Sequence, residues 1–379
     1  MRVTNTSIYR NYTSSMNDVQ LRLNKSFNKV SSGRAYESAA ENPLSYYKGK
    51  KIDSQHQELL SKSTLLSDVK ARLEQQEKGA YDIQTSLSKD AKNAVIQARN
   101  ATTSDAALAT LRDKLLQTEH NMVNDLQAQY QDFYVYGGND VSTPPFSLSS
   151  DGTVLTFSHK FPGDSYTSKF EMTFENGAFT LTNATTDDPN VATPAHTLAD
   201  AMSEQGFMDL GYGDIRDHET LLDTFTGGMN VLTGLTSQHV KESNPAMSDA
   251  EIMEKLTKGP LGLVAGAIES INNYLDEGNT AYTRDNMVED LGVILQDMIV
   301  SEHTTTTVYS DLGNKYNLLE KLDTKMGKMM DSLKEQYTDA VGADPYSAIY
   351  EMFNNQYSYN AALQVGSNLM SSSLFDFVR

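Results

Sequence analysis

Apolar residues recur at alternating steps of three and four near both ends of the chain, while the middle follows a different pattern. One run reads Ile52, Gln55, Leu59, Lys62, Leu66, Val69, Leu73, Gln76, Ala80, Ile83 and Leu87. A second reads Leu291, Ile294 and Met298, then Thr305, Val308, Leu312, Lys315, Leu319, Leu322, Met326, Met329 and Leu333. Such steps place the named positions on one helical face with the spacing of a coiled-coil seam. The pattern therefore predicts a mainly α protein: a long antiparallel coiled-coil-like rod made from both chain ends, with a β-rich central insertion domain.

Shorter stripes lie outside the rod. The first is Tyr9, Tyr12, Met16, Val19, Leu23, Ser26 and Val30; its mirror near the C-terminus is Ile349, Met352, Gln356, Tyr359, Leu363, Gly366, Met370, Ser373 and Phe377. The filler of the first stripe is Asn-, Ser- and Thr-rich and has mediocre helix propensity, so its helix must draw stability from packing. Ser31-Ser32-Gly33 and Pro43 punctuate the start, and Pro345 sets off the last helix. Tyr346, Tyr350, Tyr357 and Tyr359 are candidates for a subunit interface.

Between the rods, Ser104 is placed to cap a helix that buries Leu108, Leu111, Leu115 and Met122. From Tyr134 the sequence turns to short alternating runs: Val154–Phe157, Lys169–Phe174 and Ala178–Leu181, with Asn176-Gly177 as a hairpin turn. Residues 187–197 read as loop, and helical periodicity returns near Ser248. Three bodies are expected: terminal helices (1–45 with 345–379), a helical rod (46–133 with 284–344), and the outer insertion with connecting helices (134–283).

Composition narrows the function. The net charge of -19 argues against nucleic acid as a partner, although the first fifty residues are locally basic. With no cysteine, disulfides and thiolate chemistry are excluded. No apolar run is long enough to insert in a membrane, and the start lacks the apolar core of a cleaved signal.

Candidate chemistry is sparse. His56, His120, His159, His196, His218, His239 and His303 are scattered, with no helical zinc-ligand pair. Asp214, Asp217, His218 and Glu219 resemble an acidic turn more than a metal site. Gly211-Tyr212-Gly213 lacks a dinucleotide loop's third glycine. The expectation is no enzyme, with no catalytic residues, cofactor or metal. Two of Met326, Met329 and Met330 fit the seam itself.

Five segments in order carry a resemblance. Val30-Ser31-Ser32-Gly33-Arg34 with Ser38-Ala39-Ala40-Glu41-Asn42-Pro43 resembles the "LSSG…SA-DDP" segment of flagellins and hook-associated proteins. Asp132–Asn139 followed by Thr143-Pro144-Pro145-Phe146 is similar to "RYLFGGT…PPF", and Asp223-Thr224 with Gly228–Leu232 to the "DT…PGINVL" return strand. Asp311–Asn317 resembles "VGARLN", and Ser373–Phe377 resembles "SLFDYL". Pro43 and the "GG…PPF" exit favour the hook–filament junction family, hook-associated protein 3, over flagellin. Asn42, Gly227 and Thr233 depart from the family pattern.

The resemblance implies a structural adaptor of the bacterial flagellum. Its subunits would assemble with themselves as a ring and connect hook-associated protein 1 to flagellin after unfolded export through the flagellar type III system. A cytosolic flagellar export chaperone at the C-terminal helix is implied as a further partner. The assembly interface would comprise Tyr12, Met16, Val19, Leu23, Val30, Ile349, Met352, Tyr359, Leu363, Met370 and Phe377. A filament-forming flagellin is the nearest alternative; an enzyme or an intracellular coiled-coil scaffold is more remote.

Overall fold

The computed structural model describes residues 5–100, 102–204, 207–209, 221–223, 226–243 and 246–377; for 5–6, 207–209, 221–223 and 369–377 only the backbone is described. The chain divides into two compact units, residues 1–63 with 324–379 and residues 64–323.

The first unit holds α1 (Asn5–Ser32), the start of α2 (Pro43–Thr85), the end of α10 (Arg284–Val341) and α11 (Pro345–Phe377). Asn42 caps α2, its Oδ1 accepting from the Ser45 N–H at 3.2 Å, and Pro43 opens the helix where a missing N–H costs nothing. The α1–α2 connection is pinned to the end of α10: Ala35 N–H donates to Val341 O at 2.8 Å and the Tyr36 hydroxyl to Ala340 O at 3.2 Å. Along α2 the inward face here is Ile52, His56 and Leu59, so the expected seam position Gln55 is exposed. Along α10, Met326 is buried and Met330 follows it inward, leaving Met329 exposed. A step of four from Met326 keeps the face better than a step of three at this point.

In the second unit α2 continues as a π-helical turn (Ser86–Ala91) and α3 (Lys92–Ala98). Leu66, Leu73, Gln76, Ala80, Ile83 and Leu87 are buried as expected, as are Leu291, Met298, Thr305, Leu312 and Leu319 of α10. The pairing is antiparallel: Tyr81 meets Tyr309 edge-on at 5.6 Å, and Lys70 reaches Asp323 at 3.6 Å. The π turn inserts extra backbone into the helix and turns small residues, Ala91, Ala94 and Ala98, inward. It packs on α4 (Asp105–Asp125) and α9 (Pro260–Leu275). Ser104 caps α4 by accepting from the Ala107 N–H at 3.3 Å.

After α4, β1 (Gln129–Tyr130) and β2 (Phe133–Tyr134) form a small ribbon. A four-stranded antiparallel sheet follows in the order β3 (Phe146–Leu148), β4 (Val154–His159), β5 (Ser168–Glu175) and β6 (Ala178–Thr186). Asn176-Gly177 makes the β5–β6 turn with both residues at positive φ, 55° and 77°. Phe157, Phe170 and Phe174 alternate inward from this sheet, and α9, apolar around most of its circumference, lies buried between it and α4. The remaining elements are α5 (Leu198–Ser203), β7 (Phe207–Asp209), β8 (Leu221–Asp223), α6 (Gly228–Thr233), α7 (Ser237–Glu242) and α8 (Asp249–Thr257). Gly228–Leu232, expected as a return strand, is helical. Gly227 caps α6 in extended conformation, Gly234 ends it in the left-handed region, and Asn230 Nδ2 donates to Leu235 O at 2.8 Å.

Candidate assembly surface

The terminal helices α1 and α11 pack antiparallel against each other within the first unit. The Tyr12 hydroxyl donates to Ala362 O at 2.9 Å, Asn355 meets the carbonyl of Arg22 at 3.4 Å, and Lys29 pairs with Glu351 at 2.9 Å. On α1 the inward face is Tyr12, Met16, Val19, Leu23, Ser26 and Val30, the stripe read from the sequence except for its first member, Tyr9, which is exposed. On α11 it is Ala348, Met352, Asn355, Tyr359, Ala362 and Gly366.

The α11 seam therefore differs from the expected one at alternate positions. Met352 and Tyr359 lie on it, whereas Ile349 and Leu363 are 42% and 46% exposed. Ala348 and Ala362, each one residue away, take those places because short side chains let α1 close in. The side chains of Met370 and Phe377 lie outside the described residues. Gly366 allows the closest approach: a Cβ there would run into the Tyr12 phenol ring. Gly366→Val should therefore expel Tyr12 and cost the terminal helix pair about 2 kcal/mol through overpacking. Thermal melting followed at 222 nm would read this as an earlier loss of helix, and an unchanged melt would refute the seam.

A second stripe on α11 is exposed. Tyr346, Tyr350, Phe353 and Tyr357 step by four, three and four, and Tyr346 and Tyr357 are 80% and 78% exposed. They stand two residues out of phase with Ala348, Met352, Asn355 and Tyr359, which is about 200° around the helix. One face of α11 is thus spent inside the chain and the opposite face is left aromatic. Leu21 and Phe27 of α1 are exposed as well. Apolar surface gathered this way on one small element marks an interaction site.

In the second unit the structure assembles a group that linear spacing hid. His159 is buried between Phe157 and Phe161, and its Nε2 lies 3.1 Å from Glu204 Oε2. His196 stacks on the other side of Phe161, 4.3 Å between ring centres, with Asp164 and Asp200 each at 4.0 Å. Phe161 and Asp164 share one tight loop, with two residues between them, but His196 arrives from far along the chain. Among the described residues no group of three or more His, Asp or Glu is arranged to hold a metal. Asp214, Asp217, His218 and Glu219, and Gly211-Tyr212-Gly213, lie outside the described residues. No described helix is long and apolar enough to cross a membrane.

No family model matches this sequence. No curated protein matches it either. Solved structures do. One, described as a flagellar hook-associated protein of Vibrio parahaemolyticus, superposes with a TM-score of 0.51 at 12% identity, over 80% of this chain and 100% of its own. FlgL of Xanthomonas campestris gives a TM-score of 0.41 at 9% identity, over 76% and 99%. The Vibrio structure and this chain share a fold.

Proposed function

We propose that this chain is a structural subunit of the bacterial flagellum that polymerises at the hook–filament junction, connecting hook-associated protein 1 to flagellin. The observation that carries the reading is the bare aromatic stripe of α11, set on a helix pair that both chain ends build. A helix that has already satisfied one face and still presents four aromatic side chains is made to pack against something else. The fold shared with the Vibrio protein and the five ordered sequence segments supply the flagellar context. Absence of cysteine suits unfolded passage through the flagellar type III channel, and the same C-terminal helix is the expected seat of an export chaperone.

Two experiments test the reading. Immunogold electron microscopy of intact flagella, with antibody raised against residues 150–240, should give one band at the hook–filament boundary. Label along the filament would identify a flagellin instead, and no label on any flagellum would end the flagellar assignment. Serine in place of Tyr350, Phe353 and Tyr357 together should preserve the circular dichroism spectrum yet abolish incorporation at the junction. Normal incorporation of that variant would show that the stripe is not the assembly surface.

A further inference from the structure

β6 is the outer strand of the four-stranded sheet, and side chains of α9 and α8 cover the turn end of its free edge. At the hairpin turn the two carboxylate oxygens of Glu269 accept from the Asn176 and Gly177 N–H groups, both at 2.8 Å. Next, the Phe179 N–H donates away from β5, to Thr257 Oγ1 of α8 at 2.9 Å. Main-chain groups alternate in direction along an antiparallel strand, so Leu181, two residues on, turns its N–H and C=O to the same free side. No hydrogen bond covers them among the described residues. Natural edges are blunted by lysine, proline, a bulge or a covering element. β6 (Ala-Phe-Thr-Leu-Thr-Asn-Ala-Thr-Thr) carries neither lysine nor proline, and its bulge at Thr182, where the register shifts between Leu181 and Asn183, ends the regular free edge at Leu181.

Beyond the Thr257 contact a groove of about 540 Å³ opens between β6 and α8. Its apolar lining is Phe179, Leu181, Ala250 and Met253, and Asp249 stands at its far end. The rim pair Glu254 and Lys258 is mutually satisfied at 2.7 Å. Asp249 has no cation against it among the described residues. Burial, together with the Asp200 carboxylate, raises its pKa. From Thr257 back to Asp249 is about 12 Å along the helix axis. An extended peptide covers that distance in about four residues.

We propose that the β6–α8 groove is the docking site for an extended segment of a partner protein. The segment adds to the edge of β6 as a further strand, seats alternate apolar side chains on Leu181 and Met253, and sets a lysine or arginine against Asp249. The main-chain groups of Leu181 supply the hydrogen bonds, the groove supplies the side-chain pockets, and the unpaired carboxylate selects a basic residue. A second copy pairing edge to edge is the poorer occupant, since β6 carries no lysine or arginine to set against Asp249. The inference stands on the insertion alone and does not depend on the junction role.

Fluorescence anisotropy with the full chain tests it, using fluorescein-labelled Lys-Val-Thr-Val-Thr-Lys as probe. Saturable binding is expected. Asp249→Asn should weaken it about fivefold to tenfold. Ala250→Trp, which fills the groove from an exposed position, should remove it, with circular dichroism confirming that both variants fold. A probe with proline in place of the central valine should not bind, nor should one with glutamate at both ends. The proposal falls if the first probe fails to saturate, if Ala250→Trp binds it as the parent does, or if the lysine and glutamate probes bind alike. It also falls if sedimentation shows the parent chain dimerising through this groove and Ala250→Trp restoring the monomer, since the occupant would then be a second copy.

Discussion

Glu119→Met should stabilise the 64–323 unit far more at pH 8 than at pH 4. Glu119 lies on the buried face of α4, with no solvent exposure and no hydrogen-bond partner for either carboxylate oxygen. Gly152, Leu116 and the loop carrying Asp151 close over it. Burial, helped by the Asp151 charge, pushes its pKa up from 4.5 to about 8. Below pH 4.5 the folded and unfolded chains both hold this proton, and the group costs nothing through ionisation. As pH rises, the unfolded chain releases the proton first, so stability falls until the folded carboxyl ionises near pH 8. The accumulated loss is on the order of 4 kcal/mol. Asp125, raised to about 6 by burial and by Asp82, adds a smaller loss of the same sign above its unfolded pKa. Methionine has a similar length and no charge to bury, so calorimetric melting from pH 4 to pH 9 should show a much flatter decline. An unaltered slope in the variant would mean that Glu119 is solvated and ionised in the folded protein.

That carboxylate was half legible in the sequence. The α4 stripe Leu108, Leu111, Leu115, Met122 steps by seven at its end, and the skipped slot is the turn holding Thr118 and Glu119. Both are buried. Periodicity marks such a position but says nothing about whether water reaches it, because the covering loop at Gly152 comes from a hairpin thirty residues away. The long helices and the Asn176-Gly177 turn, in contrast, follow from local chemistry alone: repeated steps of three and four, and two residues that tolerate positive φ.

The candidate assembly surface shows the same division. Spacing selected the inward face of α1 correctly from Tyr12 to Val30. On α11 the residues Met352 and Tyr359 satisfy a seam running through Ile349 and Leu363 as well as one running through Ala348 and Ala362. Hydrophobicity favours the first; the structure adopts the second, since small residues permit close approach of α1 and a hydrogen bond from Tyr12 to Ala362. The bulkier residues are left outside. The π turn at Ser86–Ala91, against which α4 and α9 pack, was equally invisible, since helical spacing continues through it.

Gln76→Leu should cost the second unit about 3 to 5 kcal/mol and loosen the insertion where it leaves and rejoins the helices. Gln76 occupies a seam position on α2 with no solvent exposure. Its Nε2 donates to the carbonyl of Val135, on the outgoing segment, and to that of Thr226, on the returning one, the latter at 3.1 Å. The buried Tyr136 hydroxyl donates back to the Gln76 main-chain oxygen, and the Gly228 N–H to the Tyr136 oxygen at 2.9 Å. One amide thus ties two strands of chain, ninety residues apart in sequence, to the same helical turn. Leucine fills comparable space but strands the buried carbonyl of Val135 and the half-buried one of Thr226, a buried unpaired acceptor being worth about 1–3 kcal/mol. Tyr136→Phe removes a single hydrogen bond and should cost only about 1 kcal/mol. Because the two side chains share one network, the double variant should be less unstable than the sum of the singles. Urea midpoints for the three variants, with hydrogen exchange at Val135 and Gly228, measure this directly. Strict additivity, or exchange that quickens elsewhere but not at those two amides, would show that Gln76 is a tolerated polar residue in the seam and not the tie that holds the insertion.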